Sequence, residues 1–314
     1  MRHGRADEDE RPDGRNSNGP APARRGPRGA SQLSRRTASR TALGTAGLRA
    51  VHQLLDAAPP ILEDPVALSL LGAGARQPIE DAVERHRGDG ARRLRARIVL
   101  RSRYAEDRLE QAVSRGVARY VILGAGFDTF ALRQPGWARD LRILEVDHAA
   151  TQAEKRSRIE AAGLVVPPNV RFASIDFARE SLEGGLAGHG IDTGEPAFFS
   201  WLGVTPYLTE AAIEATLRSV AAWPAGSEIV FTFRQPQTRE SIPGEAWLER
   251  RVADLGEPFL SRFTPDAVKS MLRAAGFSRI EFLTPAAAEE RYFRGRPNDL
   301  PVPRRAGIVA AMVG

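Results

Sequence analysis

The stretch 120-YVILGAGFDTFALR-133 decides how the chain folds. Residues 119–123 (RYVIL) form a short apolar run with the composition of a buried strand. Gly124 and Gly126 follow at once, and 127–133 reads as a helix. A strand, a glycine-bearing turn and a helix open a doubly wound α/β sheet, whose ligand lies against the carboxyl ends of the strands beside that first turn. Glycine suits the position because any side chain would hold a ligand away from the backbone. The pair alone is weak evidence, since a tight turn uses glycine too.

The wider spacing bears on which nucleotide fits. A dinucleotide fingerprint needs a third glycine three positions after the second, so that the helix packs close to the strand. Here that position is Thr129, and the cradle for a pyrophosphate is incomplete. An adenosine ligand without a pyrophosphate, such as S-adenosylmethionine, demands less of the turn. The second strand ends in 144-LEVD-147, placing Asp147 21 residues beyond Gly126, where an acid can accept both ribose hydroxyls. Strand alternation puts Glu145 on the same face. At the end of the third strand, 175-IDF-177 offers Asp176 to an adenine amino group and Phe177 to the ring.

Strands are expected at 119–123, 142–146, 170–175, 197–201, 228–233, 279–283 and 307–312, with helices at 127–133, 151–161, 179–187, 210–222 and 265–275 between them. Strands separated by helices imply crossover connections and a mostly parallel sheet with helices on both faces. The last two strands have no full helix between them, which points to an antiparallel strand at that end. Before residue 119 the periodicity is helical, over 42–58, a short segment capped by Asp64 with Pro65 at its first position, and 91–115 closed by Gly116. The expected organisation is a disordered tail over 1–38, a helical cap over 39–118 and a nucleotide-binding core over 119–314, with 235–262 inserted after the fifth strand.

Composition narrows the function classes. The 314 residues contain no cysteine, which excludes disulfides and thiolate zinc sites and fits a reducing cytoplasm. The five histidines are scattered without metal-ligand spacing, so no metal is expected. No apolar run approaches the ~20 residues of a membrane span, and the first residues have no secretory apolar segment. The net charge of +6 is local: residues 1–40 hold ten arginines against five acids, and the rest hold 35 basic against 34 acidic side chains. A Gly/Pro/Arg/Ser-rich tail of that kind is expected to be disordered, a solvated extension ahead of an arm for an anionic partner such as nucleic acid or membrane.

Taken in order, 121-VILGAGFDTFALR-133, 144-LEVDHAATQAEKR-156, 175-IDF-177 and 199-FSWLGVTPYLT-209 resemble the leucine carboxyl methyltransferase family, in particular its bacterial S-adenosylmethionine-dependent branch. The helical stretches 41–72 and 101–113 resemble it too, so the likeness covers about residues 35–314. It implies a class I methyltransferase, Rossmann-like fold with an N-terminal helical cap, and S-adenosylmethionine as cofactor. It also implies that Arg101, with Arg103 as a rival in register, grips the methionyl carboxylate, as a guanidinium pairs bidentately with a carboxylate. Gly124 and Gly126 would meet the cofactor, Asp147 its ribose, and Asp176 and Phe177 its adenine. The family's glutamate at the tip of the fourth strand is replaced here by Leu202.

The expected reaction is O-methyl transfer to a carboxylate or hydroxyl of a small, polyketide-like metabolite. A carboxylate is already anionic and needs no base, whereas a hydroxyl is helped by one. Tyr207 and His148 are the candidate catalytic residues, followed by Tyr104, with Arg234 as a partner for an acidic acceptor or as solvated surface. Two other classes compete: an NAD(P)-dependent oxidoreductase, disfavoured by Thr129, and a non-catalytic nucleotide-binding protein with a basic interaction tail.

Overall fold

A computed structural model describes residues 38–177, 180–237, 245–297 and 299–314. The expected disordered tail therefore lies outside the described residues, apart from residue 38. The described residues open with five helices, α1 (Arg40–Leu55), α2 (Val66–Leu71), α3 (Arg76–Asp81), α4 (Val83–Arg87) and α5 (Asp89–Ser114). Then come β1 (Arg119–Leu123), α6 (Phe130–Arg133), β2 (Arg142–Asp147), α7 (Ala149–Ala161), β3 (Val170–Ser174), α8 (Leu182–Gly188), β4 (Phe198–Trp201), α9 (Glu210–Ala221) and β5 (Glu228–Thr232). The chain closes with α10 (Glu245–Asp254), α11 (Pro265–Ala275), β6 (Phe277–Phe282), α12 (Pro285–Ala288) and β7 (Ile308–Val313).

The strands form one seven-stranded sheet in the order β3-β2-β1-β4-β5-β7-β6. β1 to β5 run parallel, while β7 pairs antiparallel with both β5 and β6. The chain winds outward from β1 through β2 to β3, then returns to place β4 on the other side of β1. That reversal creates a crevice at the carboxyl ends of β1 and β4. Successive residues of β1 explain why its sequence is apolar throughout. Tyr120 and Ile122 pack with Val99 and Leu100 of α5, whereas Val121 and Leu123 join the opposite core with Leu217 of α9 and Leu272 of α11. A strand covered on both faces has no polar side to alternate with.

Local signals set the helix ends. The Thr264 side chain accepts from the Ala267 N–H, Pro265 fills the first helical position and Gly276 ends α11 at φ +112°. Ser39 caps α1 through Ala42, which starts that helix earlier than the apolar periodicity from residue 42 predicts. Asp64 Oδ1 accepts from the Ala67 N–H at 3.0 Å, so it caps α2 as expected, with Pro65 just ahead of the helix. The helix after the glycine turn, expected at 127–133, is only the four residues of α6, because 125–129 are spent on the turn. The sixth strand begins at Phe277, two residues before the expected start, since the chain enters it directly from the Gly276 cap.

Candidate active site

The crevice is a cavity of about 670 Å³, within the ordinary range for small-ligand sites. Arg101, Gly124, Gly126, Asp147, His148, Asp176, Phe177 and Tyr207 all line it. Arg103 does not; it pairs with Asp107 at 2.8 Å on the exposed side of α5. Tyr104 is a correction as well: it is fully buried in the core behind β1 and reaches no part of the cavity. Arg234 lines the cavity with a side chain only 9% exposed, so the solvated-surface alternative does not hold for it. Leu202 lies in the wall where the family's glutamate was expected.

The glycine turn is held from two directions. Gly124 and Gly126 have φ of +64° and +52°, a region that disfavours any side chain. A Cβ at Gly124 would collide with the Val204 side chain, and one at Gly126 would come within 3.1 Å of the Ala42 Cβ. The turn is therefore pressed between the loop after β4 and helix α1. Asp147, the last residue of β2, accepts from the Gly126 N–H at 2.5 Å through Oδ2 and from the His148 N–H at 2.6 Å through Oδ1. Burial raises its carboxyl above the ordinary 3.8, and these two backbone hydrogen bonds oppose that rise. One residue pair back, Glu145 and Lys155 form a buried ion pair at 2.5 Å beneath the same strand end.

Arg101 lines the cavity with an unsatisfied guanidinium nitrogen. Among the described residues it has no carboxylate partner, and its buried Nε has no acceptor. Burial, reinforced by the nearby Arg49 charge, pulls the guanidinium down to about 10. Its flat face lies over Gly203, where a Cβ would sit 2.5 Å from Nη1 and 2.9 Å from Cζ. Gly203 itself has φ +78° and donates its N–H to Thr232 Oγ1 at 2.7 Å. A half-buried cation with no carboxylate partner, facing a cavity, calls for an anion.

His148 and Tyr207 differ in what they can do. His148 is the N-cap of α7, its Nδ1 accepting from the Ala150 N–H at 3.2 Å, so that nitrogen is committed to the helix. Tyr207 ends a single helical turn after β4, with its ring 5.3 Å from that of Phe259. Burial pushes its phenol up to about 12, so at neutral pH it is a hydrogen-bond donor. Phe177 stands 6.4 Å from the Trp201 ring, and Asp176 donates its N–H to Glu180 at 2.7 Å.

Several residues at the site escaped the sequence reading. Arg49 of α1 reaches the turn directly, donating from Nη2 to the Phe127 carbonyl at 2.5 Å while pairing with the fully buried Asp64 at 2.7 Å. The signal was a basic residue on the apolar side of a helix, which the periodicity treats as noise. Ser39 and Arg40 tie the start of α1 to other parts of the cavity lining: the Ser39 hydroxyl and the Arg40 N–H donate to the two oxygens of Glu257 at 3.2 and 3.1 Å, and the Ser39 N–H donates to Thr151. Nothing in the sequence links residues so far apart. Among the described residues no three or more His, Cys, Asp or Glu side chains cluster as a metal site. No described helix is long and apolar enough to cross a membrane.

The family resemblance implies a cofactor with an adenosine at one end and a carboxylate at the other, and the residues present fit it. Asp147 and the glycine turn stand at the end of β2, the unpaired Arg101 stands at the β1–β4 crevice, and no long helix follows the turn to receive a pyrophosphate. Thr129 is 1% exposed and its hydroxyl accepts from Arg133 at 3.3 Å, so the third glycine of a dinucleotide site is replaced by a packed side chain.

Comparison with known proteins agrees. Residues 42–221 match the family model of leucine carboxyl methyltransferase. A Bacillus subtilis protein provisionally named as the S-adenosyl-L-methionine-dependent methyltransferase YktD is 29% identical over 85% of this chain and 95% of its own. A Frankia alni protein with the same provisional naming, FRAAL3718, is 32% identical over 66% of this chain and 72% of its own. A crystal structure from Thermobifida fusca, provisionally described as a methyltransferase, superposes with a TM-score of 0.51 at 16% identity, covering 78% of this chain and 92% of its own. The fold is the class I methyltransferase fold and the cofactor is S-adenosylmethionine. This chain belongs to the leucine carboxyl methyltransferase family.

Proposed function

We propose that the protein catalyses O-methyl transfer to a small metabolite, with a carboxylate as the acceptor oxygen ahead of a hydroxyl. S-adenosylmethionine, when bound, supplies an electrophilic methyl group on a sulfonium. In this reading Arg101 pairs with the methionyl carboxylate, Asp147 accepts from the ribose hydroxyls, and Asp176 and Phe177 meet the adenine. Gly124 and Gly126 keep the backbone close enough for these contacts, and the helices of 39–118 act as a cap whose first turn is tied to the cavity lining through Glu257.

One observation carries the preference for a carboxylate: neither candidate base is free to act as one. The Tyr207 phenol is held up to about 12, and because His148 Nδ1 accepts from the α7 backbone, the neutral imidazole carries its proton on Nε2 and offers no lone pair to the acceptor. An acceptor that is already anionic needs only to be held in line with the methyl, by proximity and orientation. We place the reaction in a reducing compartment such as the cytoplasm, in keeping with a chain that has no cysteine.

The test is to incubate the protein with a cell extract and isotope-labelled S-adenosylmethionine, isolate the labelled product and treat it with dilute base. A methyl ester releases its label as methanol, whereas a methyl ether keeps it. Label confined to protein or nucleic acid would reject a small-metabolite acceptor.

A further inference from the structure

Apart from Arg101, which packs on Gly203 after β4, the cofactor contacts proposed above use the ends of β1, β2 and β3. On the other side, at the end of β5, the cavity wall is built around Arg234. Its guanidinium stacks over the Phe259 ring, Cζ lying 4.4 Å from the centroid, and the Tyr207 ring packs on Phe259 in turn. Arg234 Nη2 donates to Glu249 Oε1 at 2.7 Å, while Glu249 Oε2 pairs with Arg262 at 3.1 Å. Two cations thus share one carboxylate, which leaves a surplus positive charge. Arg234 Nε is buried with no acceptor.

The surrounding backbone fixes this arrangement. The Phe263 N–H donates to the Arg234 carbonyl at 2.8 Å, and the Leu260 N–H donates to Pro206 at 2.6 Å. The Ser261 hydroxyl donates to the Thr205 carbonyl at 2.8 Å. The loop carrying Phe259 is therefore tied both to the strand end that carries Arg234 and to the turn that carries Tyr207. An unsatisfied charge-bearing donor beside a wall of aromatic rings has the chemistry of a receptor for an anion on a flat apolar body.

We propose that Arg234 is the acceptor-anchoring, specificity-determining residue, binding the anionic group of a small aromatic or otherwise planar carboxylic acid whose body rests on Phe259 and Tyr207. The assignment rests on the methyl-transfer function above and adds the acceptor class and the residue that selects it. Glu249 orients the guanidinium and leaves Nε to the ligand. Arg101, packed on Gly203 after β4, serves a different carboxylate, that of the methionyl end of the cofactor.

The experiment reads binding to the protein loaded with S-adenosylhomocysteine, so it stands apart from where the methyl finally goes. Benzoate and the isosteric neutral benzamide are titrated separately and followed by ligand-observed NMR. Benzoate is expected to bind saturably and about ten-fold or more tighter than benzamide, the difference made by one charge-assisted contact. Arg234→Gln should erase that preference and Arg234→Lys should keep part of it, with S-adenosylhomocysteine affinity unchanged in both. Glu249→Gln removes the internal competitor for the guanidinium, so benzoate should bind at least as tightly as to the wild type. No saturable benzoate binding, equal binding of benzamide, an undiminished preference in Arg234→Gln, or a loss in Glu249→Gln matching that in Arg234→Gln would each overturn the proposal. Failure of the wild-type protein to bind S-adenosylhomocysteine would remove the methyl-transfer reading itself, and the proposal with it.

Discussion

The Asp147 carboxylate accepts from the Gly126 N–H at 2.5 Å, which joins the end of β2 to the glycine turn after β1 as one mechanical unit. In the proposed function the acid has two tasks at once: it holds the turn shut, and it keeps lone pairs for the ribose hydroxyls. Asp147→Ala strips both. The Gly126 and His148 N–H groups lose their acceptor, at a cost of about 1–3 kcal/mol for each one left buried and unpaired. Calorimetry should find S-adenosylhomocysteine affinity down about ten-fold or more. Asp147→Asn, which keeps one acceptor oxygen, should fall between that variant and the wild type. Normal affinity in a folded Asp147→Ala protein would remove Asp147 from the ribose.

Arg101 is expected to show the opposite balance between stability and binding. Its guanidinium is pulled down from its ordinary value to about 10, so the fold disfavours the charged form and the unliganded protein carries an uncompensated cation. Arg101→Met should therefore leave the thermal midpoint unchanged or raise it, since a half-buried charge without a carboxylate partner is replaced by apolar volume. Affinity for S-adenosylhomocysteine should drop about ten-fold or more, while 5′-methylthioadenosine, which has no carboxylate, should bind as it does to the wild type. Equal losses for both ligands would mean that Arg101 only shapes the cavity.

Gly203→Ala tests the same contact from the other side. A Cβ there would stand 2.5 Å from Arg101 Nη1, on a backbone at φ +78° that a side chain adopts at a cost of about 1 kcal/mol. The guanidinium must move, so the variant should lose S-adenosylhomocysteine affinity in the pattern of Arg101→Met and retain 5′-methylthioadenosine. A variant that binds both normally would show that Arg101 has room to shift without losing its ligand.

The fold was legible wherever short-range physics decides it. The apolar run 119–123, the cap and proline before α11 and the alternation of strands and helices each report on a few neighbouring residues, and these elements stand close to where they were expected. Boundaries moved where a side chain reached beyond its own segment, as at Ser39, whose cap starts α1 early and whose hydroxyl also meets Glu257. In the cavity, Gly124, Asp147 and Asp176 could be read because each ends a strand or follows one, and parallel strands bring such ends together. Arg49 could not, because its partners Asp64 and Phe127 come from separate parts of the chain. Arg234 posed a similar problem: its sequence position allowed a solvated arginine, and only the loop bearing Phe259 shows it to be buried.

The cap brings its own acid sensitivity. Asp56 accepts from Arg95 Nε and Nη2, each at 2.6 Å, and faces His52 Nδ1 at 2.8 Å. Burial works to raise its carboxyl, but the hydrogen bonds from His52 and Arg95 and the Arg95 charge hold it below 3.8. The sign follows from linkage. A depressed folded pKa contributes stability above the unfolded value, and that stability is lost as pH falls below about 4 through the folded pKa. Asp56→Asn should cost about 3 kcal/mol at pH 7, since it leaves Arg95 charged and buried. The gap to the wild type should narrow in thermal melts taken from pH 5 down to pH 3. A gap that stays constant across that range would show that Asp56 contributes by shape and not by charge.

The last prediction concerns whether the site uses a base at all. If Tyr207 abstracted a proton, its phenolate would be the active form, and with the phenol at about 12 the rate should rise about ten-fold per pH unit across the accessible alkaline range. Acting as a neutral donor that orients the acceptor, it gives instead a kcat/KM that is level between pH 7 and 9. Tyr207→Phe then loses about ten-fold or less, the scale of one hydrogen bond. His148 separates in the same experiment. His148→Asn keeps a side-chain cap on α7 and should keep both stability and rate, whereas His148→Ala should cost about 1 kcal/mol of stability with kcat retained. A steep alkaline rise abolished by Tyr207→Phe would make Tyr207 the base and move the acceptor from a carboxylate to a hydroxyl. A rate lost in His148→Asn with the fold intact would assign the proton to His148 Nε2 instead.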